Sequence, residues 1–162
     1  MAAPDLERIA ATLELQQFVA DYWHELDANC AQRITEFYVD DCTFVAGANY
    51  SYSGHAGVRK FYDDRAELVR DEIDGVRTTR HTAVNLRIAF RSPGTARLEF
   101  VLVNYSGAGC TPVQGFEGPT MVCDVILDCR RDNDGGWRIV NFRGIPLFVG
   151  SEPFSRKVLA KT

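Results

Sequence analysis

Asp27 and three histidines, His24, His55 and His81, are the residues whose types suit proton movement. A neutral imidazole titrates near about pH 6.5, so it takes and returns protons close to neutrality. His81 stands in TTRHTAVNL, residues 78–86, at the start of a run with strand alternation. A buried carboxylate beside such a ring would fix its tautomer and favour its protonated form. The pair could then abstract a proton next to a carbonyl or assist loss of water, for a gain of roughly 10²–10⁴ in rate.

The facing of each group decides whether that chemistry is available. On a helical wheel His24 falls opposite the apolar stripe of its segment, so it should face solvent. His55 follows Gly54 at the start of a later helical segment and reads as a solvated first-turn residue. Asp27 lies one turn after Trp23 on the flank of the stripe. It either points into a space between helix and sheet or serves as an exposed helix-end residue or cap. Strict alternation sends His81 with Ala83 and Asn85, opposite Thr82, Val84, Leu86 and Ile88; a bulge would change that locally. His81 is then either a pocket residue or a satisfied core or interface histidine. A metal site from His24, Asp27 and His81 is disfavoured, because the wheel separates the first two and no ligand spacing repeats. No phosphate-binding glycine loop, dinucleotide fingerprint, H-E-x-x-H or G-x-S-x-G occurs, so any chemistry comes from isolated side chains meeting in a pocket.

The elements that would position these groups follow from periodicity. Apolar residues at Leu15, Phe18, Val19, Tyr22 and Leu26, with Trp23 at the edge, predict a helix over 6–27. A short second helix is expected over 31–38, a brief strand over 42–46, and a polar turn over 47–54. Helical period returns over 55–70 through Val58, Phe61, Tyr62, Ala66 and Val69. Four strands are expected at about 78–90, 95–106, 119–131 and 136–149, with turn signals at Ser92-Pro93-Gly94 and Asn133-Asp134-Gly135-Gly136. A glycine-rich loop spans 107–119. Helices grouped before a run of strands predict an α+β fold in which a curved meander wraps the helices and leaves a pocket. Met121, Cys123, Val125, Leu127 and Cys129 give the fourth of these five strands one apolar face, while Asp124 and Asp128 mark the other.

At 162 residues the chain reads as one domain over 1–162, large enough to bury a core without staples. Eighteen basic against twenty-two acidic residues give a net charge of −4, with no basic cluster beyond Arg130–Arg131. Nucleic acid and anionic membrane are therefore not expected as partners. Five cysteines without C-x-x-C spacing suggest free thiols in a reducing compartment. No leader pattern and no long apolar run is present, which adds to the expectation of a cytoplasmic protein.

The segments DYWHELD, ITEFYVDDCTF, YSGHAGVRKFY, TTRHTAVNLRI and GWRIVNFRGIPLF, in that order, resemble the SnoaL-like family of the nuclear-transport-factor-like superfamily. The resemblance covers about residues 6–148 and implies a cystatin-like, cone-shaped α+β barrel: three N-terminal helices packed in a curved, mainly antiparallel sheet. In scytalone dehydratase, a member of that superfamily, an aspartate ending the first helix and a histidine opening a long strand form an acid–base pair. Asp27 and His81 match those slots. That enzyme's second pocket histidine has no counterpart, since no histidine follows His81. The implied function is a cofactor-free lyase or isomerase acting on a small, partly apolar carbonyl or hydroxyl compound. The implied pocket is lined by Tyr22, Trp23, Phe44, Phe61, Phe100 and Leu102, with Asn104 or Tyr105 as donor to a developing oxyanion. The pattern Thr79-Arg80-His81…Asn85 also resembles aromatic-ring dioxygenase small subunits, so a non-catalytic ligand-binding cone or a scaffolding subunit is the alternative. Either reading implies a homodimer or higher oligomer through the outer sheet face, where Val122 and Ile126 would lie.

Overall fold

The computed structural model describes residues 5–48, 50–72 and 75–151. The first element is helix α1 (Leu6–Asn29), whose N-cap Asp5 accepts a hydrogen bond from the Arg8 backbone N–H at 3.1 Å. Ala11, Leu15, Val19, Tyr22 and Trp23 form its buried stripe, and His24 is exposed on the opposite side, as the wheel predicts. The helix ends on two consecutive left-handed residues, Cys30 at φ 52° and Ala31 at φ 60°. Buried Glu25 holds this turn, accepting from the Arg33 backbone N–H at 2.6 Å and Asn29 Nδ2 at 2.8 Å.

The short helix expected over 31–38 is a four-residue 3₁₀ turn, Ile34–Phe37, and Tyr38 already belongs to strand β1 (Tyr38–Ala46). Among the described residues two α-helices therefore pack on the sheet rather than three. The polar turn expected over 47–54 contains edge strand β2 (Tyr50–Ser53), whose Tyr50 and Tyr52 pack on Phe61. Its alternation of tyrosine and serine hides the strand among turn-forming residues. Helix α2 (Gly54–Glu72) follows. Its fourth residue, Gly57, lies so close to β2 that an added Cβ would stand 2.9 Å from the Tyr52 Cβ. His55 is tied to the fold rather than freely solvated, since its Nε2 lies 3.0 Å from the Tyr38 carbonyl oxygen.

Four long strands complete the chain: β3 (Arg77–Ser92), β4 (Thr95–Ala108), β5 (Met121–Arg131) and β6 (Trp137–Val149). The open six-stranded sheet has the order β2-β1-β6-β5-β4-β3. All pairs are antiparallel except β1 with β6. The fold is thus α+β with a mixed sheet. Helix α1 lies against β3, and α2 against β1 and β2. On β5, Met121, Cys123, Val125, Leu127 and Cys129 are buried, while Val122 and Ile126 are half-buried on the other face.

Strand β3 resolves the facing of His81. His81 and Ala83 turn inward, whereas Thr82 and Val84 turn outward; beyond Asn85 the inward set becomes Leu86, Ile88 and Phe90. The register against β4 shifts between Val84 and Arg87, and Asn85 has φ 58°. A bulge at this residue reverses the parity of the strand, so histidine and aliphatic residues of opposite parity share one face. Asparagine tolerates the left-handed region better than other non-glycine residues. Asn85→Gly is therefore expected to be near neutral in urea unfolding. Asn85→Val should lose about 1–2 kcal/mol or more, because a β-branched residue is strained there. Equal losses for the two would argue against the bulge.

Candidate active site

Asp27, on the last turn of α1, reaches across to the first residues of β3. Its Oδ1 lies 2.7 Å from His81 Nδ1, and its Oδ2 accepts from the His81 backbone N–H at 2.8 Å. Thr79, two residues earlier on the same strand face, donates its hydroxyl to Oδ1 at 3.1 Å. The two side chains are about nine-tenths buried, at 9% exposure for His81 and 10% for Asp27. Trp23, one helical turn before Asp27, stacks on the imidazole with centroids 4.8 Å apart and planes 23° apart. The ring is held on its face and at Nδ1. In the neutral tautomer that donates Nδ1–H to Asp27, the lone pair is on Nε2, which no protein group engages among the described residues.

His81 borders a cavity of about 80 Å³ between the helices and the sheet. Of the expected lining, Trp23, Phe44, Phe61, Leu102 and Asn104 border it. Tyr22 and Phe100 do not; both are buried one layer behind, Phe100 edge-on to Trp23. Tyr105 is a correction of a different kind. Alternation along β4 sends it to the outer face, where it is exposed and packs on Phe116 of the 107–119 loop. Asn104 is thus the polar residue of that pair which faces inward. It is the direct β4 partner of His81, so the two side chains project side by side. Buried Asn104 makes no side-chain hydrogen bond to protein among the described residues, and its Oδ1 is an orphan. The Trp23 Nε1–H is another. Such groups cost about 1–3 kcal/mol each unless something else satisfies them.

Tyr62 and Arg65 of α2 also border the cavity, although neither stands in a motif that marks acid–base chemistry. Tyr62 was visible in the apolar stripe of 55–70, but only as a core residue. Its hydroxyl lies 2.9 Å from that of Tyr22, which lies 2.8 Å from that of Tyr38. Three hydroxyl protons serve two bonds in this chain, so one remains; when Tyr38 donates to Tyr22 and Tyr22 to Tyr62, it is carried by Tyr62, the member beside the cavity. Burial pushes the phenols of Tyr22 and Tyr38 well above their ordinary range and that of Tyr62 up to about 12. All three are neutral donors at physiological pH. Among the described residues no group of three histidine, cysteine, aspartate or glutamate side chains is placed to hold a metal ion. No helix among them is long and apolar enough to cross a membrane.

A SnoaL-like domain model matches residues 7–143. The chain belongs to the SnoaL-like domain family. No curated protein matches it in sequence. Its fold is shared with a scytalone dehydratase-like protein from Novosphingobium aromaticivorans, at 17% identity and TM-score 0.72, covering 89% of each chain. A hexachlorocyclohexane dehydrochlorinase, LinA type 2, is similar at 18% identity and TM-score 0.68, over 91% of this chain and 92% of that one. A protein from Nostoc punctiforme described as having a cystatin-like fold is similar at 18% identity and TM-score 0.65, over 94% and 98%.

The buried hydroxyl chain gives this SnoaL-like domain an alkaline weakness. Below about pH 10 the phenols are protonated in both folded and unfolded chains and contribute no pH dependence. Above it the unfolded phenols ionise while the folded ones stay protonated, so stability falls as pH rises through about 12 for Tyr62. Each phenol contributes a loss of up to about 1.4 kcal/mol per pH unit in that window. Urea unfolding followed across it should show a slope shallower by about that amount in Tyr22→Phe. An unchanged slope would mean that Tyr22 ionises equally in both states.

Proposed function

We propose that this chain is a cofactor-free lyase or isomerase that moves a proton on a small, partly apolar carbonyl or hydroxyl compound, cyclic compounds included. The observation that carries the reading is the 2.7 Å contact between Asp27 and His81 Nδ1 at the wall of a mainly apolar cavity. His81 Nε2 takes the proton from the carbon next to the carbonyl, and Asp27 stabilises the resulting imidazolium and holds the ring's orientation. The electron pair of the broken C–H bond moves toward the carbonyl, where Tyr62 and Asn104 donate hydrogen bonds to the developing oxyanion. In a lyase the pair then expels hydroxide from the neighbouring carbon, and the proton on His81 leaves with it as water. In an isomerase the same proton returns to a different carbon. Two of the fold neighbours are named for eliminations, of water and of hydrogen chloride, which supports chemistry of this kind.

A second reading, a non-catalytic ligand-binding cone or the scaffolding small subunit of an aromatic-ring dioxygenase, rests on the roles of Thr79 and Asn85. Thr79 secures Asp27 and Asn85 forms the bulge, so the Thr79-Arg80-His81…Asn85 pattern has a structural use independent of catalysis. The two readings separate in deuterated water. A panel of small ketones and β-hydroxycarbonyl compounds, followed by NMR, should show deuterium entry beside the carbonyl or loss of water with the wild-type protein. His81→Asn and Asp27→Asn should slow that reaction by roughly 10²–10⁴ while circular dichroism confirms the fold. Variants that react as fast as wild type would sink the acid–base reading.

A further inference from the structure

Helix α2 presents Val58, Phe61, Tyr62 and Arg65 at the spacing i, i+3, i+4, i+7, which is one face. The first three are buried, at 0%, 5% and 9% exposure. The fourth, where an apolar residue would continue the stripe, is a half-buried guanidinium that borders the same cavity as His81. The sequence pattern pointed instead to Ala66, which is exposed.

A charge withdrawn from water is normally paired. Arg33, Arg59, Arg97, Arg131 and Arg138 each meet a carboxylate. Arg65 meets none and makes no hydrogen bond among the described residues; its one contact of this kind is the face of Phe61, 5.6 Å away. The adjacent acids of α2 are committed elsewhere, Asp63 to Arg59 and Asp64 to Lys60. Burial lowers the Arg65 pKa from its ordinary value; the other groups that act on it are the phenols of Tyr62 and Tyr50 and a second cation, Arg77. No anion is among them. The guanidinium is still charged at neutral pH.

We propose that Arg65 is an anion subsite of the cavity and that the compound bound there carries a carboxylate, which names the substrate class for the proton-transfer reading of the His81 site and rests on it. The planar fork of a guanidinium matches a carboxylate with two parallel hydrogen bonds. With Arg65 and His81 bordering one cavity of about 80 Å³, a single short acid reaches both. Its carboxylate sits at α2 and its reactive carbon faces β3.

Crotonate and its neutral isostere crotonamide, titrated calorimetrically against the whole chain, test this without a known substrate. Wild type should bind crotonate roughly ten-fold or more tightly than crotonamide. Arg65→Gln should abolish that preference with little effect on crotonamide, and Arg65→Lys should keep part of it by retaining the charge. His81→Asn should retain the preference in full, so loss of turnover and loss of anion binding are read separately. Equal binding of both probes to wild type, a preference that survives Arg65→Gln, or no binding of either at millimolar concentration would each overturn the proposal. If Arg65→Gln does not fold, Arg65→Met, which continues the apolar stripe of α2, is read in its place, and a preference that survives it overturns the proposal. If the preference tracks Arg65 but no compound exchanges deuterium, the anion subsite stands and the proton-transfer reading fails.

Discussion

The carboxylate of Asp27 ties helix α1 to strand β3 through three hydrogen bonds, to the Thr79 hydroxyl, the His81 backbone N–H and the His81 ring. Nearly everything else at the site depends on that one acceptor. It seats the start of β3 against the helix end and places the imidazole over Trp23 at the wall of the cavity. A carboxylate can do this because it accepts at several positions at once; an amide in its place would present one acceptor and one donor. The backbone around the pair is held in sparsely populated conformations. Cys30 and Ala31 follow Asp27 by one turn and Asn85 follows His81 by four residues, all at positive φ. Each costs about 1–2 kcal/mol relative to an ordinary conformation. Strain of this sort persists where the surroundings over-determine it, as at the helix end, where the Ala31 N–H donates to the Glu25 carbonyl at 3.1 Å and the Glu25 side chain holds the Arg33 N–H at 2.6 Å.

Much of the architecture was legible in the sequence because simple periods dominate it. Strand β5 alternates without interruption, and its buried set is the one alternation predicts. The two hairpin turns and the α1 stripe follow from residue types in the same way. What stayed illegible has specific physical causes. The parity of β3 depends on one left-handed residue, and Asn85 is compatible with both a regular strand and a bulge. Strand β2 is four residues of alternating tyrosine and serine, whose stability comes from Phe61 across the chain and not from local propensity.

The candidate site divides along the same line. Asp27 and His81 are visible because their chemistry is distinctive and their positions sit at the ends of recognisable elements. Asn104 and Tyr105 are neighbours of similar promise in the sequence, and only the β4 register assigns one to the cavity and the other to the surface. Tyr62 and Arg65 carry no motif at all. Only placement distinguishes them, one at the end of a buried hydroxyl chain and the other as a cation that meets no carboxylate among the described residues, on an otherwise apolar face. Pocket composition is a tertiary property, and a single wrong parity moves a residue from substrate contact to solvent.

The parallel pairing of β1 with β6 also constrains how the domain comes into being. Residues 38–46 find their second partner in residues 137–149, so nearly the whole chain must be synthesised before the middle of the sheet can close. Until then β1 has β2 on one side and open hydrogen-bonding groups on the other, with Phe44 and Val45 beside them. Contacts of such long sequence separation slow folding, and an unpaired apolar strand is a template for association with other chains. The vulnerable stage of this protein's life is therefore the nascent one. The later strands, β3 to β6, form a local meander and can assemble among themselves, leaving the union of the two ends of the chain as the final event.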